Sequence, residues 1–93
     1  IKNGRIFKSD FNITTKDIYD LLKKQKNKCV YTGVNMIWKT NSGSLKGSLD
    51  RIDSDDTYCK NNIQLVCFWA NLAKNNSTHE DFIKNCKLVA ENN

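Results

Sequence analysis

Residues 48–74, SLDRIDSDDTYCKNNIQLVCFWANLAK, restrict the fold of this chain more than any other part of it. Two β-prone runs, 48–52 and 63–66, are joined by the polar stretch 53–61, which is too long for a tight hairpin turn. Immediately after the second run, 67–75 reads as a helix that is apolar almost all round and so buried on most faces. A hairpin with an open, acid-bearing loop, followed directly by a helix, is the expected core. Asn71 and Lys74 are the polar interruptions of that helix, and an Asn in so apolar a setting needs a hydrogen-bond partner.

The rest of the chain supplies two flanking helices. Thr14 or Thr15 caps a helix running to about Lys26, with Ile18, Leu21 and Leu22 on one face and Lys16, Asp17, Lys23 and Lys24 on the other. Ser77 with Glu80, or Thr78 with Asp81, makes a capping box opening a last helix, whose inner face is Phe82, Ile83, Cys86 and Val89 or Ala90. Between them, 29–32 and 35–38 are short β-prone runs separated by Gly33, and 40–47 is a Ser/Gly/Asn loop of flexible composition. Residues 1–12 form a basic N-terminal arm and 13–93 the domain. The fold class is α+β, a small single domain. With 93 residues, a chain burying only about 60 to 65% of its unfolded surface excludes a TIM barrel or a two-domain Rossmann enzyme. The chain starts at Ile1 rather than Met, so neighbouring domains outside this sequence are expected.

Charge is distributed unevenly. Residues 1–46 carry ten Lys or Arg against Asp10, Asp17 and Asp20, a net +7, whereas 47–93 carry five against seven acids, a net −2. A basic front half neutralises phosphates, and an acidic half beside it holds a cation. Lys23, Lys24, Lys26 and Lys28, clustered at the end of the first helix, are the candidates for nucleic-acid backbone contact, which positions DNA without reading it. Tyr31, Trp38, Tyr58 and Trp69 are expected in the core rather than stacked on bases. His79 is expected to face solvent in the first turn of the last helix.

Four cysteines, Cys29, Cys59, Cys67 and Cys86, allow three disulfide pairings, and their spacing favours none. A zinc knuckle requires paired CxxC units, but Cys29 is followed at that distance by Thr32 and Cys67 by Ala70. Zinc is not expected. Reduced thiols point to an intracellular setting. No apolar run is long enough to span a membrane.

Asp50 ends one strand, Asn62 opens the next, and Asn71 lies nine residues on in the following helix. That order brings together a carboxylate and a carboxamide oxygen, hard ligands suited to Mg²⁺ or Mn²⁺ with waters and a phosphate completing the shell. With these residues, the segment resembles the ββα-metal motif of the HNH endonuclease family. LLKKQKNKCVYTG at 21–33 is similar to the helix and Cys-containing turn that precede the motif in small phage and viral members, and STHEDFIKNC is similar to their closing helix. The resemblance implies an HNH-like core flanked by N- and C-terminal helices, and a metal-dependent DNA endonuclease of a host cell's cytoplasm or nucleus/nucleoid. It implies metal on Asp50 and Asn71, catalytic roles for Asp50, Arg51 and Asn62, and phosphate contacts from Arg51 and Lys74, with duplex DNA favoured over RNA. One departure is plain. Where the family carries a general-base His, this chain has Arg51, whose guanidinium accepts no proton. Substitutes for the base are Asp53, Asp55, Asp56, metal-bound hydroxide or His79. The alternative is a catalytically silent HNH-derived module that binds DNA.

Overall fold

The computed structural model describes residues 12–93. The N-terminal arm expected at 1–12 lies outside the described residues except for Asn12, whose backbone N–H donates to Tyr58 O at 3.0 Å. Helix α1 spans Thr15–Gln25, strand β1 Gly47–Arg51, strand β2 Ile63–Cys67, helix α2 Phe68–Lys74 and helix α3 His79–Glu91, with a 3-10 turn at Lys60–Asn62. The protein is a small compact α+β domain whose sheet has two antiparallel strands. No described helix is long and apolar enough to cross a membrane.

Register follows from the strand alternation. Gly47 faces Cys67 across the ladder, Leu49 faces Leu65, and Asp50 faces Gln64. Every residue of β2 is buried, because α1 packs against it and α2 covers both strands. The core gathers Cys29, Met36, Leu65, Val66, Cys67 and Ala70, with Ile18, Leu21 and Leu22 of α1 packed on it.

Local chemistry explains the helix ends. Thr14 caps α1 through a complete capping box with Asp17, which satisfies two of the free N–H groups of the first turn. Thr78 Oγ1 accepts from Asp81 N to open α3. At the C-terminal end of α1, Lys26 and Asn27 both take left-handed backbone angles, with φ of 56° and 61°. Such a pair is costly for non-glycine residues, and Asn27 is held there by its side chain. Asn27 Nδ2 donates to Met36 O at 3.0 Å, and Trp38 Nε1 donates to Asn27 Oδ1 at 2.8 Å. A second clamp lies one turn back, where Gln25 uses its carboxamide as a strand partner. It accepts from Leu65 N at 3.0 Å and donates to Leu65 O at 2.8 Å, which closes the outer edge of β2 at that residue.

Four expectations are corrected here. The runs 29–32 and 35–38 are not strands; they form only the single bridges Lys28 to Asn35 and Ile37 to Lys46, because Gly33 turns the chain with φ 75° before a ladder can extend. Helix α2 is not buried on most faces. Phe68, Trp69 and Leu72 are exposed, and only Ala70 and Lys74 are buried, since a single sheet face can cover one stripe of a helix. Of the inner face assigned to the last helix, only Phe82 is buried, and Cys86 and Val89 are exposed. Trp38 and Trp69 are not core residues, being 42% and 51% exposed.

Trp38 instead lies flat over Gly47, where a Cβ would overlap its ring. Replacing Gly47 with Ala therefore displaces the indole and its bond to Asn27, and is expected to cost about 1 to 3 kcal/mol of stability by urea denaturation. The same substitution in a Trp38→Ala background should cost far less, because the clash is then gone.

Candidate functional site

Strand alternation puts Ser48 and Asp50 on one face of β1, and α2 lies over that face. From α2, Asn71 Nδ2 donates to Ser48 Oγ at 2.5 Å and to Leu49 O at 3.4 Å. One turn on, Lys74 Nζ donates to Asp50 Oδ2 at 2.9 Å, to Arg51 O at 2.6 Å and to Ile52 O at 3.5 Å. An ammonium has three donors, and all three are used. This is a buried ion pair, with side-chain exposures of 0% for Lys74 and 6% for Asp50. Gln64, directly across the ladder, adds a second donor to Asp50 Oδ2 at 2.9 Å.

Both donors thus converge on one carboxylate oxygen. Asp50 Oδ1 accepts no hydrogen bond among the described residues, and no fully buried side-chain oxygen there lacks a partner, so Oδ1 reaches the surface. Asp50 also lines a polar cleft of about 280 Å³, together with Arg51, Ser54, Asn71, Asn75 and Asn76, among others. Asn71, both of whose amide donors turn toward β1, likewise has an Oδ1 with no donor among the described residues. Asp50 and Asn71 therefore line the same cleft, a carboxylate and a carboxamide that together make a donor set suited to Mg²⁺ or Mn²⁺. It supplies a minority of an octahedral shell. Among the described residues, no three His, Cys, Asp or Glu side chains gather as a metal-binding group.

Arg51 lines the same cleft. Its guanidinium lies 4.9 Å from the centre of the Tyr58 ring and donates to Asp56 O at 3.0 Å. Asn62 is buried and does not line the cleft. It braces the loop between the strands, accepting from Asp53 N at 2.9 Å and donating to Asp53 O at 3.0 Å and Thr57 O at 2.9 Å. Asp53, Asp55, Asp56 and His79, the side chains considered as substitute bases, are absent from the cleft lining.

Lys74 requires a correction. Expected on phosphate, it is 1% exposed, because the fold spends its charge inside, on Asp50 and two carbonyls. Lys23, Lys24, Lys26 and Lys28 are exposed at the end of α1 and free to meet a polyanion; Lys28 also donates to Asn35 Oδ1 at 3.2 Å.

His79 is not simply solvent-facing, as expected. Its ring stacks on Tyr31 with centroids 5.2 Å apart, and Nδ1 lies 3.0 Å from Tyr31 Oη. Gln64 Nε2 also donates to Tyr31 Oη at 3.1 Å. Burial pushes the Tyr31 hydroxyl above its ordinary range. Gln64, Ser48, Tyr31, Ser54, Asn75 and Asn76 were not singled out in the sequence as site residues. For Gln64 the signal was present, as the one polar residue in the apolar run IQLVC.

All four cysteines of the chain are free thiols, Cys29 and Cys67 being buried. Burial pushes the Cys29 thiol up, and hydrogen bonds from Thr32, Cys67 and Tyr31 together outweigh it and hold it below its ordinary value.

Comparison of the chain with protein-family models, curated proteins and solved structures found no match.

Removing one partner of a buried ion pair strands the other charge. Lys74→Met is expected to lower stability by about 3 to 5 kcal/mol in urea denaturation. Combining it with Asp50→Leu should recover a large part of that loss, since neither charge then remains.

Proposed function

We propose that this domain is a metal-dependent nuclease of the HNH type, with a ββα-metal core formed by β1, β2 and α2, that hydrolyses phosphodiesters of duplex DNA. The observation that carries this reading is that Asp50 and Asn71, each with a side-chain oxygen that accepts no hydrogen bond among the described residues, line one polar cleft together with Arg51. When bound there, a divalent cation supplies Lewis-acid stabilisation of the charge that develops on the phosphate and leaving oxygen. Arg51 neutralises a phosphate oxygen, with a geometry suited to bidentate contact. Ser54, Asn75 and Asn76 offer neutral hydrogen bonds to the same group. Gln64 and Lys74 hold the carboxylate in orientation, and Asn62 holds the loop that carries Ser54.

A second reading is a catalytically silent domain that binds DNA. It is favoured by Arg51 in the position of the family's base and by the absence of Asp53, Asp55, Asp56 and His79 from the cleft lining. Loss of a general base removes about 10² to 10⁴ in rate.

Plasmid nicking with Mn²⁺ separates the two. In the nuclease reading the parent cuts, Asp50→Ala abolishes cutting, and both Arg51→His and Arg51→Ala lower it. An inert parent with activity gained in Arg51→His supports the silent module instead, since the new imidazole restores a base near neutral pH. If every variant is inert while DNA affinity persists, the metal chemistry is wrong.

DNA affinity itself is expected to depend on Lys23, Lys24, Lys26 and Lys28. Changing the four to Ser should flatten log affinity against log salt by about 0.9 for each phosphate that a lysine no longer neutralises. An unchanged slope moves the interface elsewhere on the surface.

A further inference from the structure

Among the described residues, Asp50 is the one acidic side chain in the cleft lining, and its charge is already countered. The Lys74 ammonium sits 2.9 Å from Oδ2 with no solvent access to dilute it, and Arg51 adds a second cation at the same cleft. Asn71, Asn75, Asn76 and Ser54 contribute dipoles and no charge. Counting Lys74 with the lining, two cations face one carboxylate. Sites that capture Mg²⁺ or Mn²⁺ on their own concentrate negative charge, and this one does not. A phosphate reverses the balance, because its oxygens bring the missing anionic ligands and at the same time satisfy Arg51.

Resting on the nuclease reading of this cleft, we infer that divalent metal and nucleic-acid phosphate bind it cooperatively, with Lys74 suppressing metal capture by the empty protein. The buried lysine holds the carboxylate in place and keeps the site from filling until a phosphodiester arrives. Linkage requires the effect to be reciprocal: whatever factor DNA adds to the metal's affinity, the metal adds to DNA's. Lys74 thereby acts as a positioning residue with an electrostatic consequence that a merely structural lysine would not have.

The experiment measures free Mn²⁺ by electron paramagnetic resonance during titration of the whole chain, with and without a short DNA duplex, at fixed ionic strength. The duplex's own Mn²⁺ binding is subtracted from a protein-free titration. Affinity for Mn²⁺ is expected to rise about tenfold or more with duplex present, within the usual span of coupling between sites. Duplex affinity, read by fluorescence anisotropy, should rise by the same factor when Mn²⁺ is added. Both effects should vanish in Asp50→Ala and in the charge-free Asp50→Leu, Lys74→Met pair, each checked for folding by circular dichroism, because Asp50→Ala alone strands the buried Lys74 charge. Lys74→Gln, checked for folding by circular dichroism, should bind Mn²⁺ more tightly than the parent without DNA and show weaker coupling. Should that variant fail to fold, the parent titrations decide alone. Mn²⁺ bound through Asp50 with equal affinity in the presence and absence of duplex overturns the inference and leaves the metal site standing. Mn²⁺ binding that is absent throughout, or indifferent to Asp50→Ala, overturns the nuclease reading as well.

Discussion

The contact between Lys74 and Asp50 is the constraint around which the rest of the domain is arranged. A buried ion pair contributes little net stability over a well-packed apolar pair, yet either charge alone is strongly unfavourable in the interior. The two residues therefore have to meet, and they belong to the last position of α2 and the fourth position of β1. Meeting sets the rotation of the helix on the hairpin. Lys74 also takes the carbonyls of Arg51 and Ile52, so the end of β1 and the start of the loop are held by the same ammonium.

From this pair a chain of hydrogen bonds runs across the molecule. Asp50 accepts from Gln64, Gln64 reaches Tyr31, and Tyr31 meets His79 at the start of α3. Tyr31 also packs edge-on against Phe82, with ring centres 4.9 Å apart. The last helix, whose outer half buries almost nothing, is thus connected to the rest of the domain by a polar path, by the contacts of Tyr31 with His79 and Phe82 and by packing against α2. Polar networks of this kind are valuable only when each member is satisfied, and among the described residues no buried side-chain oxygen or nitrogen lacks a partner.

Much of this plan was legible in the sequence, for physical reasons. The hairpin and α2 were readable because two β-prone runs flank a polar stretch too long for a tight turn, and a continuous apolar segment follows the second run directly. The caps at Thr14 and Thr78 were readable because few residue types satisfy a helix N-terminus. The requirement that Asn71 find a partner was also readable, and Ser48 and Leu49 supply it. What escaped was whatever depends on where a long side chain ends. Lys74 looks in sequence like any surface lysine beside a phosphate, and only tertiary packing sends its ammonium inward. Trp38 and Trp69 look like core residues because size and hydrophobicity say so, but a two-stranded sheet has too little surface to cover them. Gln64 was hidden differently: a single amide in an apolar run signals a buried partner without saying which.

The carboxamide of Gln25 has a further consequence. It occupies the backbone donor and acceptor of Leu65, forty residues away along the chain, in the place a neighbouring strand would take. Strand edges are where chains pair with copies of themselves. Here the protection is lent by a helix, with help from Val30, whose N–H also donates to Leu65 O at 3.3 Å, rather than built into the strand. Nascent β2, or β2 in a molecule whose first helix has come loose, presents an open edge composed of Ile63, Leu65 and Val66. Protection of that edge is therefore a tertiary property, tied to the order in which the domain's pieces come together.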